Sequence, residues 1–187
     1  MASSSLPGFP SANWLIPGRL IHAGYPGASD DAAAAAIAAA VTDASVTAIV
    51  CLQPERELAP LPPYLGKFDP AHISPEGPLP LSWLHMPVRD GGIADDDRFC
   101  GLLEQCIALL AKGSVLLVHC LGGHGRSGVV CAVLASAVLG LSAGDALALV
   151  QARHNEREDP WARQHRSVST QGLKPWTSCL LSTSRSC

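Results

Sequence analysis

Apolar positions along the chain fall into short unbroken runs, set between longer stretches of helical spacing. Arg19–Gly24 (RLIHAG) has short strand character and is closed by a turn at Tyr25–Gly27. Ser29, Asp30 and Asp31 then precede the run AAAAAIAAA. A hydroxyl and two acids suit a helix N-terminus, and alanine has the highest helix propensity. Val46–Leu52 (VTAIVCL) is β-branched and apolar throughout, the pattern of a buried strand. Residues 54–80 are rich in proline and predict an irregular surface loop with room for one short helix. Leu81–Val88 is the next strand, ended by the turn signal Arg89–Gly92. Asp95, Asp96 and Asp97 open a helix to about Ala111, with Phe99, Leu102, Leu103, Cys106, Ile107 and Leu110 at 3–4 spacing. Ser114–Val118 reads as a strand covered on both faces, and Gly128–Leu141 as a buried helix. Ser142 with Asp145 has the form of a capping box opening a last helix.

Strands alternating with helices imply a three-layer α/β/α domain around a mostly parallel sheet of about four to five strands. A length of 187 residues fits one such domain. Residues 1–13, rich in Ser, Pro and Gly, are expected to be a flexible N-terminus, 14–166 the folded domain, and 167–187 a weakly ordered tail. Composition narrows the picture. A chain that is 48% hydrophobic and 16% charged has the material for a core. A net charge of −3 argues against general attraction to nucleic acid or to an anionic membrane. No apolar run is long enough for a membrane span of about 18–20 residues. The 7 cysteines are odd in number and irregular in spacing, and the first residues, MASSSLPGFP, do not form a secretory signal. The expectation is therefore thiols in a reducing intracellular compartment, cytoplasmic or nuclear.

The chemistry concentrates in His119–Gly128 (HCLGGHGRSG), between the Ser114–Val118 strand and the apolar helix. The strand brings Cys120 to the carboxyl edge of the sheet, where parallel folds bind ligands. Gly122, Gly123 and Gly125 permit a tight loop with its N–H groups turned inward. Such a nest at a helix N-terminus binds anions. Leu121, Gly122, Gly123, His124, Gly125 and Arg126 thus form a phosphate cradle, and the Arg126 guanidinium can grip two oxygens at once. The same positive surroundings favour the thiolate of Cys120, the nucleophilic form. A thiolate on the floor of a phosphate cradle implies attack on phosphorus and a phosphocysteine intermediate. Ser127 can stabilise sulfur as it leaves in a second step, and His119 is expected to order the loop rather than act as a base. The leaving oxygen needs a proton. Asp90, at the end of the preceding strand and beside Gly91 and Gly92, is the candidate acid.

With these residues placed, the chain resembles the cysteine-dependent protein tyrosine phosphatase superfamily. The family signature is His-Cys, five residues, Arg, Ser or Thr, and Gly. His119, Cys120, Arg126, Ser127 and Gly128 fill it. Within the dual-specificity group it is most similar to kinase-associated phosphatases, through Pro87–Gly92 and Cys120–Ser127. The resemblance implies phosphomonoester hydrolysis without metal or other cofactor. Cys120 would be the nucleophile, Arg126 the phosphate ligand and Asp90 the general acid. The substrate would be a phosphorylated protein carrying phosphotyrosine and, in a shallower site, phosphoserine or phosphothreonine. That shallower site follows from the absence of the Asn-Arg-Tyr loop that deepens the pocket of the large tyrosine-specific enzymes.

Three positions leave alternatives open. His124 stands where kinase-associated phosphatases carry an apolar residue and phosphatase-and-tensin relatives carry Lys. Protonated, it would favour a polyphosphorylated substrate such as an inositol phosphate or phosphoinositide; otherwise it only packs. Cys51, at a strand end, is either a buried small apolar residue or, as in those relatives, a redox partner for Cys120. Gln164 is placed as a water-positioning glutamine by the resemblance alone. A zinc site on His119, Cys120 and His124 is discounted: no CxxC pair exists, and metal on Cys120 would remove the nucleophile.

Overall fold

Four parallel strands side by side form the middle and one edge of the sheet. A computed structural model of the protein describes residues 4–64, 81–92, 96–157 and 159. The elements are β1 (Ser5–Leu6), β2 (Phe9–Ile16), β3 (Leu20–Ala23), α1 (Asp31–Asp43), β4 (Ala48–Cys51), α2 (Glu55–Leu58), β5 (Ser82–His85), α3 (Asp96–Ala111), β6 (Leu116–His119), α4 (Gly125–Leu139) and α5 (Ala143–Asn155). Strand order is β1-β2-β3-β6-β4-β5. β3, β6, β4 and β5 run parallel, while β1 and β2 add an antiparallel edge.

Alternation along the strands assigns the two faces. Leu20, Val50, Leu116 and Val118 face α3, α4 and α5, in a core with Leu103, Cys106, Leu110 and Leu134. Ile21, Ile49 and Leu117 face the other way, against Ile37, Ala40 and Val41 of α1. The expected three layers are present. The sheet has six strands rather than four to five. The additional strands lie in the segment expected to be loose, where Phe9 is fully buried and β2 pairs with β3. Pro10, Ser11 and Asn13 hide this strand from a reading of apolar runs; only pairing with β3 reveals its pattern.

The helix starts follow local chemistry. The Asp30 carboxylate accepts from the Ala33 N–H at 2.8 Å, and the Ser142 hydroxyl accepts from the Asp145 N–H at 3.1 Å. Gly140, with φ of 65°, ends α4 in the left-handed conformation. Cys106 and Cys131 are free thiols sealed in the core, and burial pushes Cys106 up to about 12. Cys100, half-buried on α3, is disulfide-bonded, so the expectation of thiols throughout does not hold there. Among the described residues no helix is long and apolar enough to cross a membrane.

Candidate active site

β6 is flanked by β3 and β4, so the residues that follow it emerge between two buried neighbours. His119 is the last residue of the strand, and Cys120, buried, begins the loop. The loop enters α4 at Gly125, with His124 as its N-cap. The Cys120 Sγ and Ser127 Oγ atoms lie 3.3 Å apart. Arg126 and Ser127, in the first turn of α4, are both buried.

Contacts from behind hold the loop. The Tyr25 N–H donates to the Leu121 carbonyl at 2.9 Å. Arg157 Nη1 donates to the Gly123 carbonyl at 2.6 Å. In a planar trans peptide the C=O and the next N–H point opposite ways. Carbonyls drawn back at Leu121 and Gly123 therefore turn the N–H groups of Gly122 and His124 forward, into the cradle. Gly123 has φ of 61°, and a Cβ there would stand 2.4 Å from the Gly24 nitrogen. Only glycine fits both the conformation and the space.

Arg126 closes the cradle. Its Nη1 donates to Glu57 Oε2 at 2.8 Å and to the Val88 carbonyl at 2.9 Å, and its Nη2 lies 3.4 Å from Asp90 Oδ1. The Asp90 side chain is 85% exposed, against 4% for Arg126. Gly91 beside it has φ of 67° and open space around its Cα. The structure therefore brings Asp90 to the guanidinium across 36 residues of sequence, on the loop that follows β5.

His119 is fully buried and shares a 2.7 Å hydrogen bond between its Nε2 and the Tyr64 hydroxyl. Burial pulls it down to about 3, outweighing an opposing hydrogen bond to the backbone at Cys120, with the fields of His85 and Arg126 adding smaller downward shifts. It is neutral at physiological pH. Cys51 ends β4 directly across from His119 in the register. It is a buried free thiol, pushed up by burial, which outweighs the opposing hydrogen bonds from the Gln53 backbone and the Tyr64 side chain; the nearby Cys120 adds a smaller push upward.

His124 lies with its ring 4.4 Å from the ring of His154, a fully buried residue of α5, tilted by 48°. His22, in β3, places Nε2 3.1 Å from the Ser127 hydroxyl. Its carbonyl accepts from Arg157 Nη2 at 2.6 Å, and Arg157 Nε donates to Asn13 Oδ1 at 3.1 Å. No local pattern in the sequence marks Glu57, Tyr64, His22 or Arg157 as site residues. Glu57 and Arg157 each lie in locally charged segments that read as solvated surface, and His22 sits inside a strand otherwise apolar. Gln164 and the 167–187 tail lie outside the described residues. Among those described, no group of His, Cys, Asp and Glu is placed to hold a metal ion.

A family model described as "Swiss Army Knife protein, DSP-PTPase phosphatase domain" matches residues 10–172. Among curated proteins, 067L of Invertebrate iridescent virus 3, which carries a tyrosine phosphatase name, is 35% identical over 80 residues, 41% of this chain and 33% of that protein. Cyclin-dependent kinase inhibitor 3 of Homo sapiens is 40% identical over 50 residues, 27% of this chain and 24% of its own. The matches thus span about a third or less of these two relatives. Of solved structures, PTPMT1 in complex with PI(5)P superposes with a TM-score of 0.67 at 16% identity, covering 95% of this chain and 99% of that one. Kinase associated phosphatase superposes with a TM-score of 0.61 at 17% identity, covering 90% and 88%. At these identities the structural likeness speaks for the fold.

Proposed function

Because the chain belongs to the DSP-PTPase phosphatase domain family, matched over residues 10–172, we propose that it hydrolyses phosphomonoesters through a phosphocysteine intermediate. The observation that carries this reading is a convergence at one loop. Cys120 lies 3.3 Å from Ser127, while the adjoining Arg126 meets Asp90 at 3.4 Å. A thiolate, a phosphate-binding guanidinium and a carboxylic acid are the three parts that the reaction requires.

In the first step the Cys120 thiolate attacks phosphorus. An S–P bond forms, the P–O ester bond breaks, and Asp90 gives its proton to the departing oxygen. The N–H groups of the loop and Arg126 hold the non-bridging oxygens. In the second step water attacks phosphorus while Asp90, now a carboxylate, takes its proton. The S–P bond breaks, its electron pair returns to sulfur under the Ser127 hydroxyl, and inorganic phosphate leaves. No metal enters either step.

The substrates of this proposal are phosphoproteins, with phosphotyrosine first and phosphoserine or phosphothreonine as further candidates. An inositol phosphate would call on His124 as an added cation, and in this chain the His124 ring lies against buried His154, tilted by 48°. A thiolate nucleophile works in a reducing environment, so an intracellular location is part of the proposal. Cys51 joins it as a redox partner. Peroxide would take Cys120 to a sulfenic acid, and the Cys51 thiol would condense with it to a disulfide, releasing water. A Cys51–Cys120 peptide in mass mapping after mild peroxide is the expected result; its absence rejects that role.

The deciding experiment is phosphate release by wild type and Cys120→Ser without added metal. The panel holds a phosphotyrosine peptide, a phosphothreonine peptide and inositol phosphates. Release from the peptides, reduced at least about 10³-fold in the variant, is expected. Preferential release from inositol phosphates would overturn the substrate assignment. Release independent of Cys120 would overturn the mechanism.

A further inference from the structure

Ser127 sits between two partners, Cys120 Sγ on one side at 3.3 Å and His22 Nε2 on the other at 3.1 Å. All three side chains are buried, and His22 and Ser127 are fully so. A serine hydroxyl has one proton and two lone pairs. With sulfur as thiolate, only one arrangement satisfies the chain: Ser127 donates to sulfur and must itself accept from His22. If His22 instead offered a bare Nε2, the serine proton would turn toward the ring and away from sulfur.

The surroundings choose between these cases. His22 Nδ1 is buried and meets no hydrogen-bond partner. A buried N–H without an acceptor is rarer than a buried lone pair without a donor, so the proton belongs on Nε2. Burial first, then the charges of Arg157, His154 and His124, hold the ring well below the usual imidazole range, which keeps it neutral with a single N–H. Its position is fixed as well. Arg157 grips the His22 carbonyl at 2.6 Å and the Gly123 carbonyl at 2.6 Å, tying the strand to the loop.

We propose that His22 is a positioning residue for the second chemical step: its Nε2–H donates to Ser127 Oγ and aims the serine proton at Cys120 sulfur. This inference rests on the phosphocysteine reading above. In that step the S–P bond breaks and its electron pair goes to sulfur, so a donor already aimed there lowers the barrier. In the first step sulfur gives up charge, and the same hydrogen bond offers no advantage in the transition state. Losing His22 is therefore expected to slow breakdown of the phosphoenzyme and to spare its formation.

The test is stopped-flow hydrolysis of p-nitrophenyl phosphate by the full chain. His22→Phe keeps an aromatic ring and removes the donor. Its kcat should fall about tenfold, the worth of one oriented hydrogen bond. The nitrophenol burst should rise toward one per site, with the burst rate within about twofold of wild type. His22→Gln places an amide N–H near the Nε2 position and should restore kcat. His22→Asn, whose shorter amide stops short of Ser127, should behave like His22→Phe and reads the same loss if the aromatic variant does not fold. In a Ser127→Ala background His22→Phe should add nothing, since its effect runs through that hydroxyl. Equal slowing of burst and turnover, no slowing at all, or additive losses in the double variant would overturn the role of His22 while leaving Cys120-dependent hydrolysis intact. Hydrolysis that survives in Cys120→Ser would remove the phosphocysteine reading and the His22 proposal together.

Discussion

The front and the back of the Cys120 loop are built on different principles. In front, Asp90 stands 85% exposed and touches Arg126 through a single 3.4 Å ion pair. Behind, His22, Ser127, His119 and Arg157 are all buried: Ser127 and Arg157 are each hydrogen-bonded to His22, Arg157 also to the Gly123 carbonyl, and His119 to the Tyr64 hydroxyl, at 2.6–3.1 Å. An exposed pair of that length contributes little to stability. Buried hydrogen bonds are stronger than exposed ones and hold their groups in one arrangement. The contrast separates two tasks. Under the proposed mechanism, the acid that must follow a substrate in and out is held lightly, and the loop that must always meet phosphorus at one geometry is held from several sides.

The contrast can be broken most severely at Gly123. Gly123→Ala forces a Cβ to 2.4 Å from the Gly24 nitrogen at φ of 61°. Phosphate release should be lost, and denaturant unfolding should show a stability loss of about 3 kcal/mol or more from strain and overpacking. At the front the effects separate. Asp90→Asn should lower kcat about 10²- to 10³-fold, with an unfolding midpoint like that of wild type, because the exposed carboxylate carries catalysis and not packing. A substrate with a strongly acidic leaving group should recover much of that rate.

Acid should test the back alone. His119, at about 3, and His22, well below its ordinary value, are neutral when folded but take up protons when unfolded at pH below about 6.5. The unfolded state then binds more protons, so stability falls as pH drops from about 6.5 toward the folded values. Each histidine contributes up to about 1.4 kcal/mol per pH unit. Unfolding midpoints measured from pH 7.5 to 4.5 should show this slope. It should be shallower in His119→Gln, once that variant's own stability is taken as the reference. The smallest effect belongs to Glu57. Glu57→Gln leaves an amide oxygen for Arg126 without the charge, and a neutral acceptor is worth about half a charged one. KM for p-nitrophenyl phosphate should rise about fivefold with kcat within about twofold.

Legibility in the sequence divides along similar lines. Cys120, the loop glycines, Arg126 and Ser127 are contiguous, so their spacing alone carries their geometry. Asp90 stands out in the sequence because it follows a predicted strand and precedes a Gly-Gly pair; in the structure it lies on the loop after β5. Four parallel strands and the helix caps at Asp30 and Ser142 followed from apolar runs and cap chemistry. β2 did not, because FPSANWLI owes its strand to pairing with β3 rather than to its own composition. Glu57 and His22 reach the site across 69 and 105 residues of sequence. Topology delivers them, and no local pattern marks a residue that will be brought in from so far. His124 could be read either as a cation or as packing. Its tilted contact with His154 joins two segments whose approach depends on where α5 docks.

The two ends of the described chain meet behind the loop. Asn13 in β2 donates from its side chain to the Arg153 carbonyl and accepts from Arg157, and the Ser4 hydroxyl donates to Glu156. Arg157 in turn holds the Gly123 carbonyl. A deletion of the first thirteen residues, or a fusion that pulls β1 and β2 off the sheet edge, is thus a perturbation of the cradle, although no active-site residue is touched. In this fold the opening segment acts as a latch, and a truncation chosen to trim it would change the enzyme's chemistry from a distance of more than a hundred positions.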